Sequence, residues 1–130
     1  MKKSILLVAL LVVPMGIAIA QQGKERSASY KMMDVLVDKN DWPALFEFLD
    51  RMQGVIDVNE YRLGYGGTLL AKAVLERNFL AAKTLLEKYK ANPNLVGWKG
   101  LFNPIVNATL LGDDAMVALL RQYGAKMPSD

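Results

Sequence analysis

The hydrophobic and polar positions divide this chain into three stretches with different patterns. An uninterrupted apolar run, residues 5–13, comes first, and a polar segment, residues 21–29, follows it. Beyond that segment short amphipathic patterns recur. Leu70, Ala73 and Val74, for example, have the i, i+3, i+4 spacing that places apolar side chains on one face of a helix. The pattern therefore predicts a succession of short helices.

These helical patterns repeat along the chain. Residues 68–94 and 103–128 can be laid over each other, with Ala73 on Ala108, at an offset of 35 residues in the first half and 34 in the second. A less regular earlier copy lies in residues 32–59. Each copy is long enough for two short antiparallel helices, and one such pair cannot enclose its own apolar face. The copies are therefore expected to stack on one another.

Residues suited to helix ends stand at matching points of the two clearer copies. Thr68 and Asn103 are predicted N-caps of the first helices, and Asp113 is a predicted N-cap of a second helix. Asn78 and Gly112 are the residues expected to adopt the left-handed conformation that ends the first helices. Each copy is therefore predicted to be a helix-turn-helix unit.

The last copy resembles the ankyrin repeat. It has an opening triplet that contains Pro, a Gly turn, a Leu pair and a closing Gly-Ala, at residues 103–105, Gly112, 119–120 and 124–125. With the two earlier copies the resemblance covers residues 32–128. In ankyrin proteins such copies stack into a solenoid, and the loops between them project from the stack.

The resemblance implies an all-α fold, an ankyrin-repeat α-solenoid of about three stacked helix-turn-helix repeats in residues 30–130. The chain departs from the family pattern at Ala71 and Val106, where a histidine is usual, so one helix-stabilising hydrogen bond is missing. The first copy is also irregular, with extra residues around Gly54.

The first 20 residues have the three parts of a secretory signal peptide. Two lysines precede the apolar run, Pro14 and Gly16 interrupt it, and Ala-Ile-Ala at 18–20 is a typical cleavage pattern. A retained membrane anchor is the alternative. The uncharged stretch, residues 4–20, falls short of the roughly 20 apolar residues that span a bilayer. We therefore expect cleavage after residue 20, export to the periplasm and no stable membrane insertion afterwards.

The polar residues 21–29 have no apolar periodicity and are predicted to be a flexible tether. Removing the leader from the 130 residues takes away two of 16 basic side chains and none of 13 acidic ones. A nearly neutral domain without clustered Lys or Arg has no charge pattern for nucleic acid. No nucleic-acid partner is therefore expected.

The chain contains no His and no Cys. A histidine-dependent nucleophile system, a thiol nucleophile and the common zinc sites are therefore excluded. Asp113 and Asp114 are the closest acidic pair, but their place at a predicted helix start favours a capping role over acid–base chemistry. We expect no enzymatic activity, no metal and no cofactor.

The loops between the copies carry the residue types that dominate protein interfaces, namely Tyr, Trp and Arg. The partner-binding candidates in these loops and on the adjacent first helices are Tyr61, Arg62, Tyr65, Trp98, Lys99, Phe102, Lys72 and Asn107. The alternative for the loop aromatics is packing against neighbouring repeats. For the charged residue on a helix, Lys72, simple solvation is the alternative.

These observations predict a periplasmic, non-catalytic protein that binds another protein. A leader followed by a compact recognition domain resembles immunity proteins, which implies a partner that is a toxic effector of the envelope, such as a secretion-system lipase, and inhibition by occlusion. The alternative is an adaptor or scaffold that supports a resident periplasmic enzyme or a stress response.

Overall fold

The computed structural model describes residues 28–130, and within this range the chain is all-helical, with no strand. The expected signal peptide and most of the expected tether lie outside the described residues. The last two tether residues, Ala28 and Ser29, are helical, and Ser29 is buried, so the folded domain begins earlier than predicted. In the described range no helix has the length and apolar character needed to cross a membrane.

Six α-helices and one short 3-10 helix make up the described domain. In chain order the α-helices are α1 (28–38), α2 (Trp42–Arg51), α3 (Leu69–Leu75), α4 (Phe79–Glu87), α5 (Pro104–Leu110) and α6 (Asp114–Gln122). The 3-10 helix, Trp98–Gly100, lies in the loop before α5.

Side-chain caps start most of these helices, as the sequence predicts. The Thr68 side chain accepts a hydrogen bond from the Ala71 backbone N–H at 3.1 Å. At the start of α6, Asp113 accepts from Met116 at 3.2 Å. Each cap satisfies one N–H group of the first helical turn, which has no partner within the helix.

One prediction about helix ends is wrong, and another is confirmed in position but not in its side-chain bond. The residue with a left-handed backbone after α3 is Arg77, with φ +56°, whereas Asn78 caps α4 by accepting from Ala81 N–H at 3.0 Å. Asn103 stands at the N-cap of α5, but its side chain makes no capping bond, and its buried Oδ1 has no partner among the described residues. Gly112, with φ +67°, does adopt the predicted left-handed conformation.

The four later helices pack as two neighbouring pairs. Helix α3 packs against α4 and α5 against α6, while α3 also packs against α5 and α4 against α6. Ala73 and Ala108, which the repeat alignment superimposes, are both fully buried on the two first helices of these pairs. Small side chains at this point let two helices approach closely, and the core around them includes Leu70, Leu85 and Leu120.

The turn within each pair has the same backbone conformation at each recurrence. Asn40, Arg77 and Gly112 follow α1, α3 and α5, and their φ angles are +53°, +56° and +67°. Two of the three are not glycine. Because a left-handed backbone is uncommon in other residues, its recurrence at matching places marks one chain path taken three times.

Asparagine side chains connect successive pairs. Asn59 donates to the carbonyl oxygen of Lys90 at 3.1 Å and accepts from the N–H of Asn92 at 2.7 Å. Asn94 makes the same two bonds one step further on, to Gly124 and Lys126, both at 2.9 Å. Each asparagine therefore joins the end of one unit to the end of the next.

Candidate protein-binding site

Two loops of the same backbone design project between the helix pairs. In the first loop, residues 63–67, Leu63 N–H donates to the Gly67 carbonyl at 2.9 Å. In the second loop, residues 97–102, Gly97 N–H donates in the same way to the Leu101 carbonyl at 2.5 Å. In each loop the residue before the bonded carbonyl is a glycine with positive φ, Gly66 at +95° and Gly100 at +76°. These glycines allow a tight turn that most other residues would strain.

The two loops lie against each other. A Cβ atom on Gly97 would stand 3.0 Å from the carbonyl oxygen of Gly66 and 3.1 Å from Cδ2 of Phe102, so only glycine fits here without displacement. The rings of Tyr65 and Phe102 pack across the junction with their centroids 4.6 Å apart. The loops consequently present one continuous surface.

Aromatic and aliphatic side chains on that surface are exposed to solvent. Trp98 is 70% exposed and Leu101 is 56% exposed, while Lys99 places Nζ 4.5 Å from the centroid of the Trp98 ring. We define the loop surface as Tyr65, Trp98, Lys99, Leu101 and Phe102. Sequence reasoning named four of these five residues and missed Leu101, whose exposure depends on the turn that the second loop makes.

Tyr61 and Arg62 form the base of the first loop. Tyr61 is 2% exposed, and its hydroxyl donates to Oδ1 of Asp34 at 2.5 Å. Burial, followed by this bond to Asp34, raises the pKa of the Tyr61 hydroxyl. Arg62 Nη1 donates to the carbonyl of Asn59 at 2.6 Å. Because Tyr61 packs inside the domain and Arg62 is bound to backbone, the loop surface is defined without them.

Lys72 and Asn107 lie on the first helices of successive pairs, 35 residues apart. The Lys72 side chain is 14% exposed and forms an ion pair with Glu76, and its Nζ donates to Oδ1 of Asn40 at 2.9 Å. Asn107 is half-buried on α5. Lys72 therefore ties α3 to the turn after α1, and its charge is already compensated.

A groove adjoins the loop surface at Tyr65. Its volume is about 550 Å³, and it is lined by Val37, Asp38, Asn40, Leu63, Gly64, Tyr65, Lys72, Leu75 and Glu76. Partial burial, and then the Glu76 charge, raise the pKa of the Tyr65 hydroxyl. We call this the α1–α3 groove.

Leu75 and Leu110 extend the apolar character beyond the loops. They are 39% and 82% exposed and end α3 and α5, 35 residues apart. Sequence reasoning did not single them out, although both belong to the repeat alignment. The signal that could have found them is that the 35-residue offset of the repeat alignment places a leucine at the end of both first helices.

The described residues contain no candidate metal-binding site. Across residues 28–130 no three His, Cys, Asp or Glu side chains are grouped so that they could hold a metal ion. Comparison with known proteins gives no match to a protein-family model, to a curated protein or to a solved structure.

Proposed function

We propose that this chain is an ankyrin-type repeat protein with three repeats. The support is the recurrence of one chain path: helix, left-handed turn, helix, then an extended loop. The same pair of asparagine bonds also recurs from one unit to the next. Asn59 bonds to residues 90 and 92, and Asn94 bonds to residues 124 and 126. A solenoid is built in this way, since each repeat contacts only its neighbours.

The function proposed is binding of another protein through the loop surface. The observation that carries this proposal is the exposure of Trp98, 70%, beside Leu101 and Tyr65 on two mutually supported loops. A large exposed aromatic side chain on a well-defined backbone is typical of an interface anchor. Its burial removes a large apolar area from water at little cost in conformational entropy.

The partner class proposed is a toxic effector that attacks the cell envelope, which this protein neutralises by covering it. The N-terminal pattern of a secretory leader supports an envelope location. An interface of about 1,600 Å² is the usual size of a stable complex, and two or three aromatic anchors can supply most of its affinity.

A pair of matched variants tests the binding surface. We expect a neutralised effector to be encoded beside this gene. Trp98→Ala is expected to weaken binding of that effector by about 2 kcal/mol or more, roughly 30-fold, in calorimetry. Leu80→Ala is the control, because Leu80 is also strongly exposed, at 74%, but lies in the first turn of α4 and is not part of either loop. Equal affinities for the wild type and Trp98→Ala would move the site elsewhere.

Survival of cells tests the partner class. Cells that receive the effector in the periplasm are expected to survive when they express the full chain and to die when the chain lacks residues 1–20. Protection by the leaderless chain would contradict neutralisation in the periplasm. Stable association with a resident envelope enzyme, without protection against any effector, would favour the adaptor role instead.

A further inference from the structure

The α1–α3 groove combines apolar walls with carboxylates. Val37, Leu63 and Leu75 line the groove from three separate parts of the chain, and Tyr65 belongs to the same lining. Asp38 and Glu76 stand in the same lining. A volume of about 550 Å³ falls within the range of about 300–1,000 Å³ that is usual for small-ligand pockets, so an arginine side chain has room to enter.

One of the two carboxylates is already compensated. Glu76 pairs with Lys72 and also accepts the indole N–H of Trp42 at 2.9 Å. Lys72 is held further by Asn40 and lies 5.8 Å from the centroid of the Trp42 ring, so its ammonium group is not free to meet another anion. The groove thus contains one neutral ion pair.

Asp38 supplies the charge that remains. It is exposed at the end of α1 and makes no ion pair with another residue of the described domain. Asp34, one helical turn earlier on α1, accepts the hydroxyl of Tyr61 and adds to the negative potential. The two lysines of α1 and its following turn, Lys31 and Lys39, are not part of the groove lining.

We propose that the α1–α3 groove receives an arginine side chain of the protein partner, next to an aliphatic residue. The guanidinium group pairs with Asp38 and lies against the Tyr65 ring, while the aliphatic stem of the arginine packs on Leu63 and Leu75. This assignment rests on the proposed protein-binding function and specifies the chemistry of the partner segment.

Arginine fits this groove better than lysine for two physical reasons. Its planar group can stack on an aromatic face and bind a carboxylate with two parallel hydrogen bonds, whereas an ammonium group is a point charge. Its weaker hydration also lowers the cost of leaving water for a groove with aliphatic walls. The neighbouring loop surface, which meets the groove at Tyr65, then accommodates the residues that flank the arginine.

The experiment uses three short peptides as probes and backbone amide NMR of the purified protein as the readout. The peptides are acetyl-Leu-Arg-Leu-amide, its analogue with neutral citrulline in place of arginine, and acetyl-Leu-Glu-Leu-amide. The arginine peptide is expected to shift the amides of Gly64, Tyr65 and Leu75 saturably. The citrulline peptide is expected to bind at least about fivefold more weakly, since it keeps the shape and loses the charge.

Asp38→Asn is expected to weaken the arginine peptide by at least about fivefold, while Glu47→Gln, an exposed carboxylate on α2, leaves its affinity unchanged. An unaltered amide spectrum outside the groove shows that the variant is folded. Absence of saturable shifts overturns the proposal, and so does equal binding of the citrulline or glutamate peptide or of the Asp38→Asn protein.

This outcome is separable from that of the proposed function. If Trp98→Ala abolishes effector binding but the arginine peptide does not bind, only the assignment of the groove fails. If the arginine peptide binds as described but Trp98→Ala leaves effector affinity unchanged, the assignment of the groove is supported. The proposal that the loop surface binds the effector then fails.

Discussion

Asn59 and Asn94 hold the same position in successive units, because each side chain binds one carbonyl and one N–H group of the unit that follows it. An exposed side-chain amide that makes two such bonds has both its oxygen and its nitrogen satisfied. These two asparagines are the repeated connection on which the stability of the last unit is expected to depend.

Asn94→Ala is expected to lower the free energy of unfolding by about 1–2 kcal/mol, because two hydrogen bonds to residues 124 and 126 are lost near the surface. Urea unfolding followed by circular dichroism measures this change. Gln122→Ala, which truncates an exposed amide at the end of α6, is the control and should change stability by less than about 0.5 kcal/mol. Equal effects for the two variants would contradict the connecting role.

Ala108→Leu is expected to destabilise the domain by about 1–3 kcal/mol, because a larger side chain has no space at a fully buried point where α3 packs on α5. Ala118→Leu is the matched change at an exposed position of α6. Thermal unfolding of both variants compares them directly. Tolerance of leucine at position 108 would mean that the two helices do not approach closely there.

Asn103→Thr is expected to stabilise the domain by about 1 kcal/mol. The buried Oδ1 of Asn103 has no partner in the described structure, whereas Thr68 at the matching cap bonds the N–H of Ala71. The reciprocal variant, Thr68→Ala, should destabilise by about 0.5–2 kcal/mol. Chemical denaturation measures both, and a destabilising Asn103→Thr would show that the asparagine amide makes a contact that the threonine cannot replace.

The two tryptophans are expected to differ in fluorescence, because Trp42 is 8% exposed and Trp98 is 70% exposed. A Trp42→Phe variant, which retains Trp98, should emit at longer wavelength and be quenched readily by acrylamide. A Trp98→Phe variant should emit at shorter wavelength and resist quenching. Similar quenching constants for the two variants would contradict the exposed position of the second loop.

Stability is expected to fall in alkali. Burial and hydrogen bonds to carboxylates raise the pKa values of Tyr61 and Tyr89 above the ordinary 10.0. From about pH 10 upwards the unfolded chain releases tyrosine protons that the folded chain retains, so the unfolding free energy decreases as pH rises. Below about pH 10 both tyrosines are protonated in either state, and their stabilising contribution to the free energy of unfolding is fully present.

Urea unfolding from about pH 8 to about pH 11 measures this dependence. Tyr61→Phe should make the unfolding free energy less dependent on pH in this range, and it also removes the hydrogen bond to Asp34. Tyr123→Phe is the control, since Tyr123 is a half-buried residue whose hydroxyl makes no hydrogen bond to another described residue. A Tyr61→Phe protein with the same alkaline slope as the wild type would show that another group is responsible.

Local features of the helices could be predicted from the sequence because their causes are local. The caps at Thr68 and Asp113 depend on a side chain and a backbone N–H three residues further along. The failure at Asn78 is also instructive. Asparagine suits both a left-handed turn and an N-cap, and the neighbouring Arg77 takes the turn conformation, with its Nη2 bonded to the Leu111 carbonyl at 2.6 Å.

The candidate surface could be predicted only in part, because the exposure of a loop aromatic depends on residues distant in sequence. Tyr61 and Trp98 look alike as interface candidates in the sequence. Tyr61 is buried against Tyr30 and Asp34, about 30 residues away, whereas Trp98 turns outward on a loop braced by Gly66 and Phe102.

The amino-acid sequence alone determined the helical class and most helix starts, because periodicity and capping act within a few residues. The tertiary structure alone decided which aromatic residues face water, that Lys72 is neutralised by Glu76 and Asn40, and that Asp38 shares a groove with Tyr65. Those relationships arise from the packing of units about 35 residues apart, and burial and charge compensation depend on the neighbours that this packing brings together.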